Sequence, residues 1–117
     1  MPHVIRGGLA DLVAAWRDLP RGPWRWGTAV ARVEGCYLGA GAECLLVAGV
    51  VVEYGRPLHP IVLVTRGAGP TTAAHLWGPV AVERTAGVKR FLAQVAQELT
   101  AFGAGEVVTT NIPDSLP

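Results

Sequence analysis

The most regular hydrophobic pattern lies in the last third of the chain. Val88, Phe91, Leu92, Val95, Ala96, Leu99 and Phe102 recur three or four residues apart, and Lys89, Arg90, Gln94, Gln97 and Glu98 fill the positions between them. That spacing gathers the apolar side chains into one stripe of a helix. Gly103 stands where a left-handed C-cap is wanted. A shorter repeat of the same kind, Leu9, Leu12, Val13 and Trp16, predicts a first helix, with Asp11 at the end where the helix dipole favours negative charge. Pro20 stops it, because its ring cannot continue the hydrogen-bond ladder.

Between the helices the period shortens. Residues 3–6 predict a short edge strand before the Gly7-Gly8 break. Trp24 to Glu34 predicts a strand with Trp24, Trp26, Thr28 and Val30 on one face. Glu43 to Tyr54 predicts a second, whose run Leu45 to Val52 is apolar on both faces, as expected of a central strand. Gly55 to Pro60 reads as a tight turn, and Ile61 to Thr65 as a third strand. Arg66 to Gly78 is the least regular stretch, with one helical turn expected at Thr72 to Leu76. Val80 to Glu83 alternates weakly as a fourth strand, and Val107 to Ile112 reads as a last one, followed by a frayed tail. The connections are too short for parallel crossovers. The expected fold is therefore α+β, a mostly antiparallel sheet of four to five strands with two helices packed on one face, in one domain spanning residues 1–117.

Composition changes that picture in one respect. Hydrophobic residues make up 50% of the 117 and charged ones only 16%, with a mean hydropathy of +0.35. A small domain has much surface for its volume, so it needs many polar residues to cover itself. Here the supply is thin, and helices on one sheet face leave the other without cover. A contiguous apolar patch marks an interface, and symmetric homo-oligomers are the commonest way to close one. Trp24 and Trp26 are the expected anchors.

The remaining compositional features mostly exclude. The longest apolar run, Cys44 to Val52, falls well short of the ~20 residues a spanning helix needs. No signal-peptide pattern opens the sequence, so the expected location is cytoplasmic, with no membrane partner. A net charge of +1 gives no strong field for nucleic acid. Cys36 and Cys44 are spaced neither as a redox pair nor as a zinc knuckle, and both are expected reduced. The histidines His3, His59 and His75 lack ligand spacing. No metal or cofactor is called for.

Four features carry candidate chemistry. The chain begins Met1-Pro2-His3-Val4-Ile5, and removal of the initiator Met would leave Pro2 as a secondary amine able to act as a base. That opening, with the long apolar strand running into Gly55-Arg56, resembles the tautomerase superfamily, most of all its carboxymethyl-hydroxymuconate isomerases. The resemblance implies a small trimer with the proline as acid/base and arginines holding an acidic substrate. It departs at Pro20, which ends the first helix early, and at the strand Ile61 to Thr65. Second, Arg17, Arg21, Trp24, Arg25 and Trp26 interleave guanidiniums with indoles, a pattern that suits stacking on single-stranded nucleic acid, although Asp18 and Glu34 lie close by. Third, Arg66-Gly67-Ala68-Gly69-Pro70-Thr71-Thr72, if followed by a helix, offers amides to a small anionic ligand. Fourth, Arg32, Glu53, Arg56 and His59 are the polar residues best placed to converge on a pocket. The leading expectation is a homo-oligomeric binding or assembly module with any ligand at a subunit interface. A cofactor-free isomerase using Pro2 and a single-stranded nucleic-acid binder are the alternatives.

Overall fold

In the computed structural model, which describes residues 1–117, the chain forms β1 (His3–Gly7), α1 (Leu12–Asp18), β2 (Trp24–Trp26), β3 (Ala29–Leu38), β4 (Cys44–Glu53), β5 (Arg56–Leu58), β6 (Ile61–Arg66), β7 (Thr71–Leu76), α2 (Ala86–Glu98) and β8 (Val107–Thr110). Short 3-10 turns lie at Ala40–Ala42, Leu99–Phe102 and Pro113–Ser115. Every strand pairing is antiparallel, in the order β2-β3-β4-β6-β7-β1-β8, with β5 also on β4. Strands β3 to β7 form a meander. The first strand then closes onto β7, and the last one onto the first.

The sheet has eight strands, which overturns the expected four to five. The extra ones arise where local pattern and tertiary pairing disagree. The single strand expected over Trp24 to Glu34 is a hairpin, turned at Gly27 with φ at 59°, so that Trp24 faces Ala31 across the pair. The helical turn expected at Thr72 to Leu76 lies inside β7. There Thr72, Ala74 and Leu76 point inward in strict alternation, and strands on both sides satisfy the backbone. The Gly55 to Pro60 turn contains β5. Val80 to Glu83, expected as a strand, is the loop leading into α2.

The second helix is close to expectation. The Thr85 hydroxyl caps its first turn, accepting from the Val88 amide at 3.2 Å. Gly103 ends the following turn at φ 107°, in the left-handed region. Its stripe of Val88, Phe91, Leu92, Val95 and Ala96 is buried against β1, β3, β4 and β7, and the sheet curls around it. The Phe91 ring lies directly over Gly49, where no β-carbon would fit, and meets Trp24 edge-on with ring centroids 6.5 Å apart. The first helix packs beside it on β3 and β4, burying Leu12 and Ala15, with Leu19 just beyond its end. The buried hydrophobic residues of both helices belong to one core of 23 residues, against which Trp24 packs.

The buried stripe of α1 is not the expected one. Leu9, Val13 and Trp16 are 41–45% exposed. Helical geometry begins only at Leu12, so Leu9 precedes it, and seven residues present one narrow stripe to the sheet. The tail, expected to fray, is in contact with the core at Leu116.

Thr72 holds the corner where the chain leaves β1. Its hydroxyl accepts from the Ala10 amide and donates to the Gly8 carbonyl, both at 2.9 Å, and the residue is 3% exposed. Thr72→Val keeps the shape and strands both backbone groups. It is expected to lower stability by about 1–3 kcal/mol, read as a shifted urea midpoint at unchanged slope.

Candidate functional site

The helix-free face of the sheet is the first candidate, and strand register defines it. Along β4, Leu45, Val47, Gly49 and Val51 point to the helices, leaving Leu46, Ala48, Val50 and Val52 half-buried on the other side. Following the pairings outward from Leu46 gives a row of Tyr37, Leu46, Leu63, His75 and His3 across five strands. A neighbouring row is Cys44, Thr65, Ala73, Ile5 and Thr109. Gly35, Ala48 and Ile61 form a third row. Arg32 sits beside Val50, and Val30 beside Val52. The centre of this face is thus aliphatic, and its polar groups lie toward its rim. Register also brings together two histidines that are 72 positions apart in the chain. Local spacing carries no trace of that pairing.

Trp24 and Trp26 are not on this face. They pair with Ala31 and Ala29, which are buried toward the helices, and both indoles pack on the core. The hairpin at Gly27 turns them inward, while Arg25 faces the other way beside Val30. The guanidiniums nearby are engaged locally, Arg21 with the Glu34 carbonyl at 3.2 Å and Arg17 with Asp18 at 3.5 Å.

The second candidate is a cleft of about 270 Å³ where the β2–β3 turn, the β4–β5 turn and the start of α2 converge. Trp26, Thr28, Glu53, Tyr54, Gly87 and Arg90 are among its lining residues. Glu53 is brought there by the end of β4, and its carboxylate accepts a hydrogen bond from the Thr85 hydroxyl. The close approach requires glycine at 87, since a β-carbon there would lie 2.6 Å from the Glu53 carboxyl and 2.9 Å from Val51. The α2 N-terminus therefore faces an anion the fold itself supplies, the favourable sign for its dipole. Tyr54 takes φ 50° in the tight turn before Gly55, which leaves its ring 87% exposed at the rim. Arg90 lies one helical turn beyond Gly87. A second hollow continues past Glu53 to Arg56, Glu83 and Thr85, where Arg56 and Glu83 form an exposed ion pair.

The residues singled out from the sequence are only partly gathered. Glu53 and Arg56 line the same hollow. His59 is elsewhere, its Nδ1 3.5 Å from Glu34, and Arg32 is exposed on the open face. Pro2 is buried just ahead of β1. Thr85, Gly87 and Arg90 were not singled out. Thr85 was legible as a capping residue before the apolar stripe, but its second partner, Glu53, is 32 residues away. The glycine-rich stretch after Arg66 is a tight hairpin, closed by Gly67 amide to Thr71 carbonyl at 3.1 Å and Thr71 amide to Gly69 carbonyl at 2.9 Å, and it runs into a strand rather than a helix. No cluster of three or more His, Cys, Asp or Glu residues is placed to hold a metal ion.

Two groups are perturbed by burial. Burial lowers the pKa of the Arg6 guanidinium and Glu106 opposes that, while its Nε donates to the Gly105 carbonyl at 2.6 Å, tying β1 to the approach to β8. Burial raises the pKa of the Cys36 thiol, partly countered by Arg21. Cys36 pairs with Val47 on the helix side and Cys44 with Thr65 on the open side, so opposite faces separate the two thiols. Alkylation of Cys36 at pH 8 is expected to be slower in the native protein than in urea, because the thiol is half-buried and the thiolate is the nucleophile. The fold favours the protonated thiol, so this contribution to stability is present below the ordinary thiol range and is lost as pH rises through the elevated pKa. Equal native and unfolded rates would contradict the placement.

Comparison with known proteins adds no assignment, since no family model, curated protein or solved structure matches the chain. No helix is long and apolar enough to cross a membrane.

Proposed function

We propose that the protein is a homo-oligomeric binding and assembly module whose subunits meet through the open face of the sheet. The observation that carries this reading is the aliphatic centre of that face, with Leu46, Leu63, Ile61 and Val50 on adjoining strands and no helix over them. Val30 and Val52 extend that centre along β3 and β4, and Ala48 joins it to Ile61, so the patch is continuous over three strands, whereas the exposed stripe on α1 comprises Leu9, Val13 and Trp16 alone. A binding role also accords with the dispersal of Arg32, His59 and Pro2 away from Glu53, because catalysis without a cofactor requires convergent groups.

Sedimentation velocity across the micromolar range tests the proposal. A concentration-dependent species heavier than the 12.3 kDa chain is expected. A single monomeric boundary throughout would sink it.

A further inference from the structure

We propose that the cleft at the start of α2 binds a small zwitterion, with the ligand's ammonium group on Glu53 and its carboxylate on Arg90. Opposite charges line one small space, yet Glu53 and Arg90 form no ion pair with each other. Glu53 is held against Gly87 and Thr85, on the floor formed by the first turn of α2. Arg90 projects from the next turn of the same helix, ~5 Å further along its axis. The two charges therefore come from different elements, Glu53 from the end of β4 and held by Thr85, and Arg90 from the exposed side of α2 with its guanidinium free to meet a ligand.

Charge selects the ligand class. A simple anion would meet the Glu53 carboxylate, which already occupies the helix N-terminus. A simple cation would meet Arg90. A molecule carrying both signs answers both groups at once, and a carboxylate suits the planar fork of arginine. The walls add to the cationic end. Trp26 and Tyr54 flank the cleft, and aromatic faces attract an ammonium group. The cleft holds about 270 Å³, below the ~300–1,000 Å³ usual for ligand sites, and opens past Glu53 into the hollow beside Arg56, so a short ligand fits its Glu53–Arg90 end. Tyr54 stands at the rim on a two-residue turn, where its ring can lie over an occupant.

The test is a titration of the isotope-labelled protein, followed by amide and indole NMR shifts. The probes are straight-chain ω-amino acids from β-alanine to 6-aminohexanoate, with n-butylamine and butyrate as single-charge controls. Saturable shifts are expected at Gly27, Gly87 and the Trp26 indole, with one chain length binding at least ~10-fold more tightly than either control, the loss of one charge-assisted contact. Arg90→Ala is expected to reduce that zwitterion to the affinity of the amine. Glu53→Gln, which keeps an acceptor for Thr85, is expected to reduce it to that of the carboxylate. Arg90 is exposed, so its variant keeps the test decisive even where Glu53→Gln perturbs folding. No saturable shift with any probe, or selectivity unchanged in Arg90→Ala, would overturn the proposal. The cleft lies on the helix side of the sheet, so the same titration on a subunit carrying Leu63→Glu is expected to give the same result.

Discussion

Phe91→Ala is expected to cost about 3–5 kcal/mol, the range for removing a fully buried aromatic ring. That is much of the ~5–15 kcal/mol by which a domain of this kind is stable. The ring is fully buried, covers Gly49 in the central strand, and meets Trp24 from the edge hairpin. It thus joins α2 both to β4 and to the edge hairpin. Gly49, directly beneath the ring, has no side chain to move into the space. Gly49→Ala makes the same point from the other side. Its new methyl would fall within the ring, an overpacking expected to cost about 1–3 kcal/mol. The double variant should lose less than the sum, since the smaller residue at 91 makes room for the larger one at 49. Urea unfolding at a fixed protein concentration measures all three. A loss below about 1 kcal/mol for Phe91→Ala would mean that α2 does not organise the core.

The pair Leu46→Glu and Leu63→Glu is expected to abolish assembly and leave the fold intact. The two positions are direct neighbours on β4 and β6, at the middle of the open face. Two adjacent carboxylates there would have to be desolvated in any face-to-face contact, and across a two-fold axis they would meet their own copies. Like charges in an interface cost several kcal/mol, which weakens association by a factor of ~10³ or more. In the separated subunit both side chains reach water, as their half-buried state allows, so the helix-side core is untouched. The far-ultraviolet spectrum should not change, while the mass falls to 12.3 kDa. An unchanged oligomer would place the interface elsewhere, with the α1 stripe as the next candidate.

What the sequence made legible follows from the range of each signal. The α2 stripe and its Gly103 end were readable because a 3.6-residue period is local and long enough to repeat four times. The central strand was readable from the unbroken run Leu45 to Val52. The strand count was not, because β7 begins Thr-Thr-Ala-Ala, a stretch with weak preference of its own that is strand only by virtue of its neighbours on both sides. The Trp24 to Glu34 error had a specific cause. A turn at Gly27 reverses the chain, and every inward and outward assignment beyond it changes sign with it. The bulge at Glu34 does so again, placing Gly35 rather than Glu34 beside Ala48. Glu53 and Arg56 were identified from their place at a strand end. Arg90 was hidden, since an arginine on the polar side of a helix looks like solvation until two turns from elsewhere enclose the space beside it.

Hydroxyl-radical footprinting at low and high protein concentration tests assembly through the open face directly. Leu46, Ile61 and Leu63 are expected to be labelled in dilute solution and protected when concentrated, while Leu9, Val13 and Trp16 on α1 stay labelled throughout. Labelling of Leu46 and Leu63 that does not change with concentration, or protection that appears on α1 instead, would contradict it.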